Sequence, residues 1–279
     1  MFEFFNRRPD FLIIGAQKGG TTALQAYLQQ HPNVQCAKEK EVGFFNRDII
    51  YNRGEQWYAK QFPFRRRTGL KYFEATPGYL YHPFVAERIF RFSPELKLIA
   101  LLRNPVKRAY SAWNMFRLFH SDPKCKAGII RKFFDDANPD AKVPYVELLN
   151  RPEFPGFHEC ITREMEIYNQ NPEETGKMHW FVRGGIYWQQ LKRYLDLFDR
   201  KNLLIMESEE LKTDRTAVLN RVTAFLGLSE HDWSQANLKD SHVRKYSSPI
   251  ADEDRKILQE FYQPHNIKLF SLIGQDYNW

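Results

Sequence analysis

The stretch Phe11-Leu-Ile-Ile-Gly-Ala-Gln-Lys-Gly-Gly-Thr-Thr22 decides the fold of this chain. Its first part, Phe11 to Gly15, is a short apolar run that predicts a fully buried strand. Two glycines and two threonines follow, and then a helical pattern that ends at His31-Pro32. A strand, a glycine turn and a helix direct backbone N–H groups and the positive end of a helix dipole toward an anion. The stretch therefore predicts a loop that binds phosphate.

The predicted loop differs from the Walker A pattern G-x-x-x-x-G-K-S/T, in which lysine stands directly before the hydroxyl residue. Gly15 and Gly20 have the required separation, but Lys18 precedes the glycine pair and Thr21 stands where the lysine would be. A lysine inside the loop can still reach an anionic oxygen, and threonine hydroxyls can donate to it. The alternative is a turn that merely needs two glycines and leaves Lys18 in solvent.

The composition is that of a globular protein. The chain has 279 residues, of which 43% are hydrophobic, and it shows neither internal repeats nor a low-complexity linker. We therefore expect a single domain over residues 1–279. No apolar run approaches the roughly 18 residues of a membrane span. The N-terminus lacks a signal-peptide pattern, and the cysteines are odd in number and fit no metal spacing, which predicts a cytoplasmic protein.

The charge of the chain favours anionic ligands, since its formal net charge is +7 and its pI is about 9.2. The basic residues are scattered, and only Arg65-Arg66-Arg67 forms a tight run. None of the common nucleic-acid-binding patterns accompanies that run. We therefore expect anionic ligands and no nucleic acid, and we interpret the basic run as a solvated loop, with a patch for an acidic substrate as the alternative.

Two further apolar runs predict strands beside the first one. Leu70–Tyr79 is the first of these runs, and Lys97–Arg103 is the second. Because helical patterns follow these strands, the chain predicts an α/β fold, a P-loop-like open and mostly parallel sheet flanked by helices on both faces. Ligands of such sheets bind at the carboxyl ends of the strands. Those ends are Gly15, Glu74–Thr76 and Arg103.

Arg103 stands at a strand end where a P-loop NTPase places an acidic Mg²⁺ ligand. Ser111 follows eight residues later on the predicted helix. A guanidinium group and a hydroxyl suit a second phosphate better than a metal, so we predict no metal site here. The alternative is that Arg103 caps the helix or lies on the surface.

A cluster of charged residues, Lys38–Glu41, stands just before the apolar pair Phe44-Phe45. Because the pair must be buried, a carboxylate beside it could lie at the floor of a cleft. The alternative is a surface charge cluster that precedes a pair of core aromatics.

The rest of the chain predicts several helices and one more strand, while residues 120–180 give few signals apart from one helix. The predicted elements are helices from about Pro83, over about Phe157–Tyr168, after Gly184-Gly185 and from Thr213 to a cap at Gly227, a strand over Leu203–Met206, and two short C-terminal helices split near Pro264.

These motifs together resemble the sulfotransferases that use 3′-phosphoadenosine 5′-phosphosulfate (PAPS), above all the heparan sulfate N- and O-sulfotransferase branch and its bacterial relatives. Gln17–Thr22 is similar to the family's 5′-phosphosulfate loop, and Leu102–Ser111 is similar to its 3′-phosphate motif. Lys40–Phe45 is similar to the segment that carries its catalytic glutamate. Arg244–Tyr246 and Asp254–Asn266 resemble its nucleotide loop and last helix, so the resemblance covers nearly the whole chain.

The resemblance implies metal-independent, in-line transfer of the sulfuryl group from PAPS to a hydroxyl or amine, with 3′,5′-ADP (PAP) as product. A saccharide acceptor fits this branch, although bacterial members of such families also modify lipids and secondary metabolites. The implied catalytic residues are Glu41, as general base, and Lys18. The implied nucleotide-binding residues are Gln17, Lys18, Gly19, Gly20, Thr21, Thr22, Arg103, Ser111, Arg244, Lys245 and Tyr246.

This chain departs from the family's pattern at three places. Ala75 stands where many members have a lysine near the end of the second strand. His242-Val-Arg244 replaces a Lys-Gly-Arg sequence in the nucleotide loop. The cysteine pair that links this loop in secretory members is absent, which agrees with a cytoplasmic enzyme.

Two other classes of function compete with this interpretation. A P-loop kinase or NTPase would need a metal ion, so EDTA would abolish its activity. A non-catalytic module that binds anionic glycans would produce no PAP. Histidines are the alternative general bases, and His120, His158 and His242 are the candidates.

Overall fold

The computed structural model describes residues 7–64, 66–134, 144–173, 180–237, 246 and 248–279. The chain divides into two compact units. Unit 1 consists of Met1–Arg103 and Gln189–Arg244, and unit 2 consists of Asn104–Trp188 and Lys245–Trp279. Each unit is described below by itself.

A parallel β-sheet forms the centre of unit 1. Its strands are β1 (Phe11–Gly15), β2 (Val34–Cys36), β3 (Lys71–Ala75), β4 (Lys97–Leu102) and β5 (Leu203–Glu207). Their order across the sheet is β2-β3-β1-β4-β5, and each neighbouring pair is parallel. The predicted α/β class with an open parallel sheet is confirmed. The sequence analysis missed β2, because three residues are too few to show an apolar run.

The helices follow and separate these strands. In chain order they are α1 (Thr21–Leu28), α2 (Asp48–Tyr51), α3 (Gly54–Ala59), α4 (Val85–Phe92), α5 (Pro105–Ser121), α6 (Pro123–Phe134), α7 (Pro144–Asn150), α8 (Phe157–Gln170), α9 (Tyr187–Leu195), α10 (Glu210–Thr213), α11 (Arg215–Leu226) and α12 (Asp252–Ile273). In the described parts of the chain, none of them is both long enough and apolar enough to cross a membrane.

Both faces of the sheet in unit 1 are covered. Successive residues of a strand point to opposite faces, and Leu12, Ile13 and Ile14 of β1 are all fully buried. On one face, α1 and α11 pack through Leu24 and Val222 against the sheet. The other face is buried as well, so the strands end at an edge where the loops, rather than the faces, can meet a ligand.

Unit 2 has a separate core built around α5, α8 and α12. Ala109 of α5, Ile161 of α8 and Leu258 of α12 are fully buried in this core. The prediction of two short C-terminal helices is wrong, because α12 runs through Pro264 without a break. Its buried face continues from Leu258 to Leu269 on both sides of the proline. Packing along the whole helix compensates for the hydrogen bond that the proline removes.

A buried carboxyl group holds an irregular turn in unit 2. Glu164 on α8 accepts hydrogen bonds from the backbone N–H groups of Phe181 and Arg183, both at 2.8 Å. Arg108 on α5 donates to the carbonyls of Trp180 and Phe181 from the other side. Burial raises the pKa of Glu164, although these amides and the Arg108 charge oppose the shift. Side chains therefore satisfy the backbone hydrogen-bonding groups of this turn, because these groups have no partners in regular secondary structure.

We predict that Glu164→Ala lowers the free energy of unfolding by at least about 2 kcal/mol, because it leaves buried amides without an acceptor. Glu166→Ala is the matched control, since Glu166 lies on the same helix but is exposed. That variant should stay within about 0.5 kcal/mol of the wild type. Urea denaturation measures both values, and equal effects of the two changes would contradict this role of Glu164.

Candidate functional site

The predicted phosphate loop of unit 1 follows β1 and lies against the backbone of β4. The Ala16 N–H donates to the Leu101 carbonyl at 2.9 Å, and the Gly19 N–H donates to the Ala16 carbonyl at 2.9 Å. A Cβ atom on Gly19 would overlap the Leu101 carbonyl oxygen and would lie 2.9 Å from the Ala16 oxygen. Lys18 has a φ of 66°, in the left-handed region. Residue 19 must therefore be a glycine, because the loop lies too close to β4 for a Cβ atom at this position.

The loop leads into the first turn of α1. Gly20 is the N-cap residue, with a φ of 94°, and as a glycine it has no side chain that could cap the first N–H groups. The first turn carries no acidic residue. Thr21 is buried, while Thr22 is half-buried together with Gln17 and Lys18. The N–H groups at the start of a helix, with a lysine in the preceding loop, favour phosphate or sulfate.

Arg103 follows β4 and is tied to the same loop. Its Nη1 donates to the Lys18 carbonyl at 3.2 Å. The alternative role as a helix cap belongs to the next residue, Asn104, whose side chain accepts from the Lys107 N–H at 3.1 Å. The structure thus brings Arg103 and Lys18 together, two residues that the sequence analysis chose from separate motifs. Two positive charges at one edge of the sheet raise the local affinity for anions.

In unit 2, the structure brings together two other predicted site residues. Ser111 on α5 is buried, and its Oγ accepts a hydrogen bond from the Tyr246 hydroxyl at 2.8 Å. The Tyr246 ring also packs edge-on against Tyr110, with ring centroids 5.5 Å apart. Ser111 and Tyr246 come from motifs that are far apart in the sequence. Arg244 and Lys245, the other residues predicted for that loop, lie outside the described residues.

Glu41 lies in unit 1, in the irregular segment that follows β2. It is half-buried and has a φ of 56°, whereas Glu39 and Lys40 are exposed. The next residues, Val42 to Phe45, are buried. The backbone therefore places Glu41 at the border between solvent and core, which is where a carboxylate can both meet a ligand and be held in position.

The sequence analysis assigned no role to two polar residues at the strand ends of unit 1. Ser208 follows β5, is buried, and donates its N–H to the Leu102 carbonyl. Its Oγ lies 3.4 Å from the position that a Cβ on Gly20 would take. Glu74 of β3 is fully buried and accepts hydrogen bonds from the hydroxyls of Tyr58, Thr76 and Tyr79. A charged residue inside an apolar strand was the signal for Glu74, while a lone serine after a strand gives none.

Comparisons with known proteins place this arrangement in context. Residues 8–264 match the family described as sulfotransferase domain. The human bifunctional heparan sulfate N-deacetylase/N-sulfotransferase 3 is 29% identical, over 96% of this chain and 30% of that relative. The human heparan sulfate glucosamine 3-O-sulfotransferase 6 is 30% identical, over 98% of this chain and 74% of that relative. The chain thus spans only about 30% of the length of the first of these relatives.

A solved structure shows the same fold. The sulfotransferase from Alicyclobacillus acidocaldarius superposes with a TM-score of 0.66 and is 28% identical. The match covers 96% of this chain and 97% of that one, so it extends over both units.

We predict that Gly19→Ala lowers the free energy of unfolding by roughly 1–3 kcal/mol, because the added methyl group forces the loop off the Leu101 carbonyl. Gly128→Ala is the control, since a Cβ there meets nothing within 4 Å and the residue lies in α6. The control should be neutral or slightly stabilising. Thermal denaturation of the two variants measures the difference, and similar melting temperatures would contradict the close packing of the loop.

Proposed function

This chain belongs to the sulfotransferase domain family, and we propose that it moves the sulfuryl group of PAPS to a hydroxyl or amine of an acceptor, with a saccharide favoured. The relatives named above support the saccharide, since both act on heparan sulfate by their names. We also propose that the chain works as a single sulfotransferase domain, since the family match runs from residue 8 to residue 264. A cytoplasmic location remains a proposal that rests on the sequence.

The phosphate loop is the observation that carries this proposal. Lys18 lies in the loop that leads into the first turn of α1, and the guanidinium group of Arg103 is bonded to the Lys18 carbonyl. The N–H groups of the loop and Lys18 fit a 5′-phosphosulfate, because N–H donors and a positive charge stabilise its oxygens without a metal. PAPS, when bound, would supply the sulfuryl group and a phosphate leaving group. We propose that Arg103 holds its 3′-phosphate, in agreement with the resemblance.

Glu41 and Lys18 would have different roles in the reaction. We propose that the Glu41 carboxylate accepts the proton that an acceptor hydroxyl loses when it attacks sulfur. Lys18 would stabilise the negative charge that develops on the leaving phosphate oxygen. A positioned carboxylate typically contributes 10²–10⁴-fold to such a reaction.

Incubation of the purified chain with labelled PAPS and a panel of acceptors tests the proposed function. The panel contains heparan sulfate, de-N-sulfated heparan sulfate, glycolipids and small hydroxyl compounds, each assayed with and without EDTA. Stoichiometric PAP and a sulfated acceptor in both conditions are expected. Loss of activity in EDTA would favour a kinase or NTPase, and binding of a glycan without any PAP would favour a non-catalytic binding module.

We predict that PAP raises the melting temperature much more than 5′-AMP does, because only PAP carries the 3′-phosphate. Arg103→Ala should weaken PAP binding at least about tenfold, the loss expected for one charge-assisted contact to phosphate. Arg103→Lys is the control for charge, since it keeps a cation but cannot reproduce the guanidinium geometry. Equal stabilisation by PAP and 5′-AMP would overturn the assignment of Arg103.

We predict that Glu41→Gln keeps the fold and the affinity for PAP but lowers kcat at least about a hundredfold. Glu39→Gln is the matched control, since Glu39 lies two residues away and is exposed; it should stay within a few-fold of the wild type. Steady-state kinetics on the accepted substrate measure both. If Glu41→Gln turned over normally, the base would have to be sought among His120, His158 and His242.

A further inference from the structure

The segment that carries Glu41 has no regular secondary structure, yet its backbone amides converge on one side chain. This side chain is Glu74, which is fully buried in β3 of unit 1. The Val42 N–H donates to the Glu74 carboxyl group directly. The two residues are far apart in sequence, so the contact fixes the segment against the sheet rather than against itself.

Two hydroxyl groups connect Glu74 to further amides of the same segment. The Thr76 Oγ1 donates to Glu74 Oε2 at 2.7 Å and accepts from the Gly43 N–H at 3.3 Å. The Tyr79 hydroxyl donates to Glu74 Oε1 at 2.7 Å and accepts from the Phe45 N–H at 3.4 Å. One carboxyl group thus holds the amides of residues 42, 43 and 45, the first directly and the other two through a hydroxyl.

The fourth donor to Glu74 is Tyr58, whose hydroxyl makes no hydrogen bond to the amides of residues 42–45 among those described above. The Tyr58 hydroxyl donates to Glu74 Oε1 at 2.7 Å, and its ring is stacked on Phe44 with centroids 4.4 Å apart. Replacement by phenylalanine would keep this ring contact and remove only the hydroxyl. Tyr58 therefore provides a matched comparison with Tyr79, because both hydroxyls bind the same carboxyl oxygen and both residues are fully buried.

Burial separates the roles of the two glutamates. Burial raises the pKa of Glu74, and the three hydroxyls and the Val42 amide oppose this shift. Four donors around the carboxyl group match the acceptor capacity of the ionised form. A fully buried group with all its lone pairs engaged cannot meet an acceptor molecule, whereas Glu41 is half-buried.

We propose that Glu74 is a positioning residue: it clamps the backbone of residues 42–45 through Val42, Thr76 and Tyr79, and thereby fixes where the Glu41 carboxylate stands. The proposal rests on the proposed role of Glu41 as the general base. Small displacements of a catalytic group are costly, since about 1 Å can reduce turnover about a hundredfold. Glu74 thus acts on the reaction only through Glu41.

The clamp itself is tested without any acceptor, by hydrogen exchange of peptides that cover residues 42–45. Glu74→Gln and Thr76→Val should raise exchange in this segment at least about tenfold, because the first removes one of the two carboxylate oxygens that hold the network and the second removes the acceptor of the Gly43 N–H. Tyr79→Phe should raise it at Phe45, and Tyr58→Phe should leave it at the wild-type rate. Unchanged exchange in Glu74→Gln, Thr76→Val and Tyr79→Phe would overturn the proposal. Thr76→Val and Tyr79→Phe keep the test valid if Glu74→Gln does not fold.

The effect on the reaction is tested by kinetics with PAPS and de-N-sulfated heparan sulfate as acceptor. Tyr79→Phe should lower kcat about fivefold, as expected for one lost hydrogen bond, with little change in the KM for PAPS. Tyr58→Phe should keep kcat within about twofold of the wild type. Equal losses in the two variants would mean that the hydroxyls matter only for stability, and would overturn the proposal.

A double-mutant cycle separates failure of this proposal from failure of the proposed function. If Glu74 acts through Glu41, then Glu74→Gln lowers kcat at least about tenfold in the wild type and causes no further loss in Glu41→Gln. Additive losses would show that Glu74 acts independently and would overturn the positioning role. A fully active Glu41→Gln variant would instead refute the proposed base, and so would overturn the positioning role with it. Absence of turnover on this acceptor would refute only the saccharide, and the exchange rates would then decide the clamp.

Discussion

The contact between the phosphate loop and the carbonyl of Leu101 is the constraint on which the site in unit 1 depends. Gly19 lies so close to this carbonyl that the position has no room for a Cβ atom. The contact holds the loop at the carboxyl edge of β4, and the residue after that strand, Arg103, is bonded to the Lys18 carbonyl. The close contact between the two backbones therefore places the loop where the guanidinium group of Arg103 reaches it, without any ligand.

In both units, a buried carboxyl group accepts hydrogen bonds from the backbone of an irregular segment. Irregular segments beside a core leave N–H groups without regular partners, and such groups must be satisfied when they are buried. Glu164 accepts the amides of the turn at residues 181–183 in unit 2, and Glu74 serves residues 42–45 in unit 1. Burial raises the pKa of both groups, while the donors around each oppose the shift. A carboxyl group can thus define the path of a segment that has no secondary structure.

The sequence predicted the parts of this structure that are encoded locally. The apolar runs of β1, β4 and β5 and the glycine loop were found because neighbouring residues alone determine them. The strand β2 is too short to show a pattern, and α12 is continuous because its packing outweighs Pro264. The sequence marks Glu74 only as a charged residue in an apolar strand, and Ser208 not at all, because their contacts with Tyr58 and Gly20 join residues that are distant in sequence. Among the predicted site residues, Arg103 bonds to the Lys18 carbonyl and Tyr246 bonds to Ser111, although the members of each pair come from separate motifs.

The two glutamates of unit 1 differ in burial in the way that their two proposed roles require. A general base must exchange protons with a ligand and so needs contact with it, while a clamp needs permanent donors and exclusion of water. Glu41 is half-buried with a left-handed backbone, and Glu74 is fully buried among three hydroxyls. Because Glu74 lies in β3, the sheet fixes its position, and its hydrogen bonds in turn restrict the motion of residues 42–45. The same sheet thus fixes the loop that would hold the donor and, through Glu74, the residue that would activate the acceptor.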